Sequence, residues 1–196
     1  TKAARGQLNM RIVFTLFTPP FEHGKSELEY LQYNDWFAQL RHHFSLKHEV
    51  VFLSQTLKKD PVFIHRDGYQ SIFFSVSTPK DRQQGSQMRY DSPAIDNWLD
   101  EFKPDIIHVV GTNSAMARRV LARCKSATRF LWERCTINEE VLASKEVGLC
   151  DYFILPTEAA RQIAMAVLPK EKLLCTPLGT DTKTFHPIAN TPKKYH

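Results

Sequence analysis

Apolar segments of five to seven residues alternate with amphipathic stretches along most of this 196-residue chain. The apolar segments are rich in β-branched and aromatic residues and occupy residues 11–17, 49–54, 105–110, 128–132, 151–155 and 172–176. Such segments are typical of strands that are buried on both faces of a parallel sheet. Their alternation with helical stretches predicts an α/β fold with a doubly wound, mostly parallel sheet and right-handed crossovers.

The stretch after the first strand begins with a capping box. Glu29 follows Ser26 by three residues, a spacing at which each side chain bonds the backbone amide of the other. Apolar and aromatic residues then recur at intervals of three and four, at Tyr30, Tyr33, Phe37, Leu40 and Phe44. We predict one helix that runs to about residue 44, with this stripe packed in the core.

Helix-start signals also precede later stretches. Pro93 suits the first position of a helix that runs through residue 102. Thr136 with Glu139 forms a second capping box, which predicts a helix to about residue 148, and Thr157 caps a helix through residue 167. A further helix, residues 115–124, follows the third apolar segment.

One part of the chain departs from the α/β alternation. Segments 62–65 and 69–76 flank the pair Asp67-Gly68, which supplies the positive φ angles that a tight hairpin turn needs. Residues 77–91 are polar and have few apolar anchors, so we predict a mobile loop there. Function and simple slack are both open interpretations of that loop.

Composition fits one globular domain. With 42% hydrophobic and 24% charged residues, the chain can bury one good core. Residues 1–9 lack any pattern, so we predict a disordered leader or a cloning remnant there. No apolar run approaches the length of a membrane span, and the first residues are too few and too polar for a secretory signal.

Charge and cysteine content indicate which ligands and which cellular compartment to expect. A net charge of +5 suits an anionic ligand or a membrane surface, but the Lys and Arg residues are scattered, which favours a solvated basic surface. The cysteines at positions 124, 135, 150 and 175 have neither Cys-x-x-Cys nor metal-ligand spacing. Reduced, mostly buried thiols in a cytosolic protein are therefore expected.

Several chemistries have no motif in this sequence. The seven glycines form neither Gly-x-Gly-x-x-Gly nor a phosphate loop, and no serine lies in a Gly-x-Ser-x-Gly elbow. The histidines are dispersed except for His42 and His43, which are adjacent on a helix and cannot both face one metal. The place left for a site is the carboxyl edge of the sheet, where ligands bind in open α/β folds.

Five short motifs are distributed over residues 10–187. They are residues 10–13 with the loop Pro19-Pro20, residues 47–50, 104–108 and 150–158, and the closing Pro177-Leu178-Gly179-Thr180-Asp181 with Phe185 and Pro187. Together these motifs resemble the amino-terminal domain of a GT-B glycosyltransferase, and within that fold they look most like retaining family 4. The resemblance implies one Rossmann-like half of a GT-B fold at residues 10–187, with a hinge or tail at residues 188–196.

The resemblance also implies an activity. It is that of the acceptor-binding domain of a larger enzyme. That enzyme would transfer a hexose-type sugar from a nucleotide sugar to a hydroxyl of a glycan, lipid or small molecule, without a metal. In the family a carboxyl-terminal domain binds the donor and carries two glutamates eight positions apart, and no such pair occurs in this sequence. The isolated chain is therefore expected to be inactive and to hold no cofactor.

Candidate donor contacts lie in the loop after the first strand. His23, Gly24 and Lys25 precede the helix that Ser26 caps, where backbone amides and an ammonium group suit the donor diphosphate. A plain connecting loop is the alternative. No metal ligands are assigned.

Candidate acceptor contacts lie in the loops after later strands. Glu133 and His108 are the catalytic candidates. The alternative for Glu133 is a charged pair with Arg134 alone, and the alternative for His108 is a buried histidine of the core. The residues assigned to the acceptor are Thr112, Asn113, Arg134, Thr157 and Glu158.

The expected partners follow from the resemblance. They are a carboxyl-terminal donor-binding domain, a nucleotide sugar and the acceptor, with no nucleic acid. The expected location is the cytoplasm, and peripheral membrane contact is left open. We also expect weak self-association, because apolar surface at Phe17, Phe21 and Trp132 would lack its partner domain. The alternative from another class is a non-catalytic module that binds glycan or protein.

Overall fold

A computed structural model describes residues 9–16, 19–33, 38–76, 90–112, 114–134 and 137–176. Its strands are β1 (Arg11–Leu16), β2 (Glu49–Thr56), β3 (Val62–Arg66), β4 (Tyr69–Ser75), β5 (Ile106–Val110), β6 (Thr128–Trp132), β7 (Tyr152–Leu155) and β8 (Leu173–Cys175). Its helices are α1 (Glu27–Tyr33), α2 (Ala38–Ser45), α3 (Ala94–Phe102), α4 (Ala115–Arg123), α5 (Glu139–Leu142), α6 (Lys145–Leu149) and α7 (Glu158–Ala164), with 3-10 helices at Pro20–His23 and Lys170–Lys172. Residues 1–8, Phe17, Asn113, Thr136, most of the predicted 77–91 loop and the predicted hinge lie outside these ranges.

The eight strands form one sheet in the order β3-β4-β2-β1-β5-β6-β7-β8. All neighbouring strands are parallel except β3 and β4, which form the predicted antiparallel hairpin with positive φ at Asp67 and Gly68. The chain winds from β1 outward to β2, and later from β5 outward in the other direction, which confirms the doubly wound α/β prediction. The point where the winding reverses lies between β1 and β5, at the middle of the sheet.

The two faces of the sheet are covered differently. On what we call the α4 face, helices α3, α4, α6 and α7 pack over all of the parallel strands, with Val13, Ile107 and Leu131 in the core. On the opposite α2 face, α1 and α2 pack over β1, β2 and β4 and enclose Phe14 and Phe52. No described helix lies over β5 to β8 on the α2 face.

The prediction that the strand at 105–110 is buried on both faces is therefore wrong for one face. Ile106 and His108, which point to the α2 face, are only half-buried, whereas Ile107 and Val109 are fully buried on the other face. A parallel strand is buried on both faces only where helices cover both. The apolar run alone did not distinguish the two sides.

The aromatic stripe predicted for the first helix is partly correct. Tyr30 is buried, but Leu40 is 41% exposed, and its neighbour Arg41 takes the interior position instead. The guanidinium carbon of Arg41 lies 4.2 Å from the ring centre of Phe52 and 5.1 Å from that of Tyr69. These cation–π contacts favour a rotation of α2 about its axis that buries Arg41 in place of Leu40. Residues 34–37, and with them the prediction of one continuous helix, lie outside the described part.

The helix predicted from residue 136 to residue 148 is two short helices. The Asn138 side chain caps α5 by accepting from the amide of Val141 at 2.9 Å, and the Ser144 hydroxyl caps α6 by accepting from Val147 at 3.5 Å. A helix therefore starts at Asn138 and not at the predicted Thr136. Ser and Asn favour caps over helix interiors because their side chains bond nearby backbone amides.

Two smaller expectations concern thiols and membranes. Cys124 and Cys150 are buried with free thiols, as predicted, and burial raises the pKa of each to about 11. Cys175 is partly exposed, and Cys135 lies outside the described residues. None of the described helices has the length and apolar character needed to cross a bilayer.

Candidate functional site

The loop after β1 forms one wall of the carboxyl edge. It contains the 3-10 helix Pro20–His23 and then Gly24, which adopts φ +64°. A Cβ built on Gly24 would meet no atom within 4 Å, so the space beside its backbone is open. The predicted capping box follows, because Ser26 N donates to Glu29 Oε2 at 2.8 Å and Glu29 N donates to Ser26 Oγ at 3.3 Å.

Tyr30 connects this wall to the loop after β6. The ring of His23 stacks on that of Tyr30 with centroids 6.1 Å apart. Burial raises the pKa of Tyr30, and the nearby positive charge of Arg134 opposes part of that rise. His23, a candidate for the donor, therefore stacks on a buried tyrosine whose pKa is also affected by the charge of Arg134, a candidate for the acceptor.

Glu133 joins two loops of the same edge. Its Oε2 accepts from the backbone amide of Thr112 at 3.0 Å and from the Thr112 hydroxyl at 2.9 Å. Its Oε1 accepts from the amide of Arg134 at 2.9 Å. The buried carboxylate therefore fixes the loop after β5 against the loop after β6.

A second buried carboxylate holds the other end of the β5 loop. Glu146 Oε1 accepts from the amide of Ser114 at 3.1 Å and lies 3.1 Å from Nε of Arg118. The Ser114 hydroxyl in turn caps α4 by accepting from Ala117 N at 3.2 Å. Sequence reasoning missed Glu146, because a glutamate in the first turn of a helix is ordinarily a solvated residue. Only the packing of α6 on α4 places it in the interior.

Lys25 faces a different part of the edge. It lines a cavity of about 230 Å³ together with Phe21, Glu27 and Lys58. Burial by itself raises the pKa of Glu27, but hydrogen bonds from Lys58 and Thr56 outweigh it and lower the pKa. Sequence reasoning missed this polar cluster as well, because its members lie about thirty residues apart in the chain.

Thr157 and Glu158 lie at the carboxyl end of β7 and are exposed. The Thr157 hydroxyl caps α7 by accepting from Ala160 N at 3.1 Å, which confirms its predicted capping role. Glu158 accepts hydrogen bonds from Arg161 at 2.9 Å and from Gln162 at 2.7 Å, and these bonds lower its pKa. The assignment of Thr157 and Glu158 to the acceptor stays a prediction.

His108 lies on the α2 face, below the carboxyl edge. Its ring is 5.2 Å from that of Phe14 and 6.0 Å from that of Trp132. Burial among these rings, assisted by the charge of Arg41, lowers the pKa of His108 to about 4. The imidazole is therefore neutral near pH 7, where it serves as a packing group between aromatic rings.

An apolar groove of about 350 Å³ opens on the α2 face beside His108. Strands β5, β6 and β7 form its floor through Ile106, His108, Phe130, Trp132 and Ile154, and β1 and α2 form one wall. We call this feature the apolar groove.

The open apolar surface does not lie where the sequence predicts it. Trp132 is only 8% exposed, so the expectation that it would be left open is wrong. Phe21 is half-buried against Tyr90, with ring centroids 5.0 Å apart, and Phe17 lies outside the described residues. The open apolar surface lies instead over β5 to β7, where Phe130 stacks on the exposed ring of Tyr152.

Among the described residues, no group of three or more His, Cys, Asp or Glu side chains lies close enough together to hold a metal ion. The site consists of the hydrogen-bonded loops described above.

Comparisons with known proteins support the fold. No protein-family model and no curated protein matches the sequence. The solved structure of UDP-N-acetylglucosamine 2-epimerase from Rickettsia bellii matches 86% of this chain and 45% of its own, with 21% identity and a TM-score of 0.51. Sucrose-phosphate synthase from Thermosynechococcus elongatus matches 92% of this chain and 51% of its own, with 11% identity and a TM-score of 0.56.

The chain thus spans about half the length of each solved structure that it matches. It has the fold of one GT-B half. At these identities the likeness concerns the fold alone, and a specific resemblance to family 4 stays a prediction.

Proposed function

We propose that this chain is the acceptor-side half of a nucleotide-sugar-dependent glycosyltransferase, of the kind found in retaining family 4. In the complete enzyme, a hexose-type sugar would pass to a hydroxyl of a glycan, lipid or small molecule, without a metal. A carboxyl-terminal domain would supply most of the nucleotide-sugar site, and the cytoplasm is the proposed location.

One observation carries this proposal. One arrangement at the carboxyl edge stacks the ring of His23 on Tyr30, sets Tyr30 within reach of the charge of Arg134, and bonds the backbone amides of Arg134 and Thr112 to the carboxylate of Glu133. It joins residues that the sequence assigned separately to the donor and to the acceptor. The edge belongs to a fold shared with one enzyme named for a UDP-sugar and another named for a sugar phosphate.

The geometry suggests a role for each residue. The open space beside Gly24 lets a phosphate oxygen approach backbone amides, and His23 and Lys25 flank that position. We assign Arg134 and Thr112 to the acceptor. Glu133 is best explained as a positioning residue, because its oxygens accept three hydrogen bonds from the two loops that it joins. Preorganised loops of this kind favour a defined acceptor orientation.

The test is a titration of the ¹⁵N-labelled chain with UDP-N-acetylglucosamine, followed by NMR. We expect shifts at Gly24, Lys25 and Arg134, a dissociation constant weaker than about 1 mM, and no sugar transfer. Gly24→Asn should abolish the shifts without unfolding, because asparagine tolerates positive φ while its side chain fills the open space. Gly148→Asn is the matched control, since a Cβ there also meets nothing within 4 Å.

The competing candidate is a non-catalytic binding module that keeps the half-fold. It is favoured by the engagement of Glu133, the candidate catalytic carboxylate, in loop contacts. Micromolar nucleotide affinity, or turnover by this chain alone, would contradict the half-enzyme. Shifts confined to Thr112 and Arg134 on addition of oligosaccharides, with none from any nucleotide sugar, would support the module.

A further inference from the structure

The apolar groove occupies the one part of the sheet's α2 face that no described helix covers. It extends from Ile12 and Ile106, near the amino ends of their strands, to Trp132 and Thr176, at the carboxyl ends. It therefore runs along the strands for nearly their full length, about 15 Å at the usual rise per residue. One end opens toward the carboxyl edge.

The lining of the groove is almost purely hydrocarbon. Among the described residues that line it, His108 and Thr176 have polar side chains, Trp132 adds one indole N–H, and the others are purely hydrocarbon. None of the described residues that line it has a charged side chain. Apolar surface of this kind at the face of a parallel sheet is ordinarily covered, because its exposure to water is unfavourable.

The groove is continuous with the candidate site. Trp132, the last residue of β6, lies in its floor, and the next two residues are Glu133 and Arg134 of the carboxyl edge. A molecule held at Arg134 could therefore extend directly into the groove. The two regions differ in chemistry, since one offers charge and hydrogen bonds and the other offers only apolar contact.

We propose that the groove binds the hydrocarbon chain of an amphiphilic acceptor whose anionic or hydroxyl-bearing head lies at Arg134. This inference rests on the proposed function and narrows the acceptor to a single-chain lipid-like molecule. Its occupant is the acceptor itself, not a membrane surface and not a second protein.

Size and charge agree with that occupant. The groove volume of about 350 Å³ falls within the range of ligand pockets. If each methylene fills about 30 Å³, the volume of a water molecule, the groove accommodates roughly ten to twelve carbons. The guanidinium of Arg134 at the carboxyl edge, and the net charge of +5, complement an anionic head.

The test is calorimetric titration of the chain with n-decyl phosphate below its micellar concentration, beside n-octyl phosphate and n-hexyl phosphate. We expect one molecule per chain. Each loss of two methylenes should weaken binding roughly 15-fold, the factor set by apolar transfer. Inorganic phosphate should bind far more weakly than n-decyl phosphate.

Matched variants locate the binding. Ile154→Ser and Phe130→Ser alter half-buried positions in the groove floor and should each weaken n-decyl phosphate binding at least tenfold. Ile163→Ser alters an exposed isoleucine on α7, away from the groove, and should leave it unchanged. Melting temperatures and NMR spectra establish whether each variant is folded. If only one of the two groove variants folds, that variant alone is enough for the test.

Three results would overturn the proposal. They are affinity that does not depend on chain length, binding that is unaffected by both groove variants, and sedimentation showing a dimer whose interface is the groove and which excludes n-decyl phosphate. A different result would separate the hydrocarbon groove from the proposed glycosyltransferase function. It is binding that depends on chain length, together with no NMR shift at Gly24 when nucleotide sugar is added. The groove would then stand as a hydrocarbon site, and its role in glycosyl transfer would fall.

Discussion

The two halves of the α2 face have similar side chains but different surroundings. In the β1-β2-β4 half, Phe14, Phe52 and Phe73 lie beneath α1 and α2 and are buried. In the β5-β6-β7 half, Ile106, Phe130 and Ile154 form the floor of the apolar groove and are only partly covered. In both halves the side chains of this face lie on alternate positions of their strands, and many of them are apolar.

The difference shows what an apolar strand pattern means. Alternation places a side chain on one face, and the apolar character shows that water is unfavourable there. What covers that face depends on other segments of polypeptide or on a ligand. An apolar face without a described helix is thus a candidate for recognition, and here it adjoins the loops at the carboxyl edge.

The largest predicted difference between the halves comes from truncating one phenylalanine in each. Phe52→Ala should lower the free energy of unfolding by about 4 kcal/mol, because it removes a buried ring and the surface on which Arg41 stacks. Phe130→Ala should cost less than about 2 kcal/mol, because the ring is already partly exposed. Urea denaturation measures both, and equal losses would show that the second half is as well covered as the first.

A smaller effect concerns pH. The folded pKa of His108 is about 4, below its usual 6.5, so between these values the unfolded chain binds a proton that the folded chain does not. The free energy of unfolding should therefore fall as the pH falls through this window, by roughly 3 kcal/mol in total.

Denaturant melts at several pH values measure this dependence. His108→Gln should remove most of it, because glutamine does not titrate. His65→Gln, at an exposed position on β3, is the control and should keep it. A slope that persists unchanged in His108→Gln would place the responsible group elsewhere.

The position of the loop after β5 depends on Glu146. Glu146→Ala should lower the free energy of unfolding by about 2 kcal/mol, because the Ser114 amide loses its acceptor and Arg118 loses its ion pair. In NMR spectra, the residues of the β5 loop should shift most. Glu140→Ala, at an exposed position on α5, should change stability by less than about 0.5 kcal/mol. Similar losses in both variants would contradict the anchoring role.

The smallest effect is expected at the groove wall. Leu40→Ala should cost less than about 1 kcal/mol, because this side chain is 41% exposed. Leu31→Ala on α1 is the comparison, since Leu31 is buried and its truncation should cost about 3 kcal/mol. If Leu40→Ala were as costly as Leu31→Ala, the predicted core stripe would be correct after all.

The sequence predicted strands and turns better than helix faces. The apolar runs located β1, β2 and β5 to β8 to within two residues at each end, because buried parallel strands have a strong compositional signal. Asp67-Gly68 predicted the hairpin, because few other residues adopt positive φ. Spacing failed at Leu40 because a cation–π contact made Arg41 the better interior residue. It also failed at Thr136, where Asn138 provides the cap.

The candidate site was predictable only in part. The rule that ligands gather at the carboxyl edge selected Thr112, Glu133 and Arg134, and hydrogen bonds of Glu133 join them, while their roles stay predictions. The burial of Glu146 and the Glu27-Thr56-Lys58 cluster depend on contacts between distant segments, which no local pattern encodes. For the same reason, the position of the apolar groove became visible only in three dimensions.

The most direct test of the central claim is the solvent accessibility of isoleucine methyl groups, measured by NMR with a paramagnetic cosolvent. The claim is that the α2 face is closed over β1 and β2 and open over β5 to β7. Ile106 and Ile154, in the groove, should relax strongly and approach the exposed Ile163 on α7. Ile12, Ile72 and Ile107, which are buried, should be nearly unaffected. If Ile106 and Ile154 are as protected as Ile107, the groove is covered and the account is wrong.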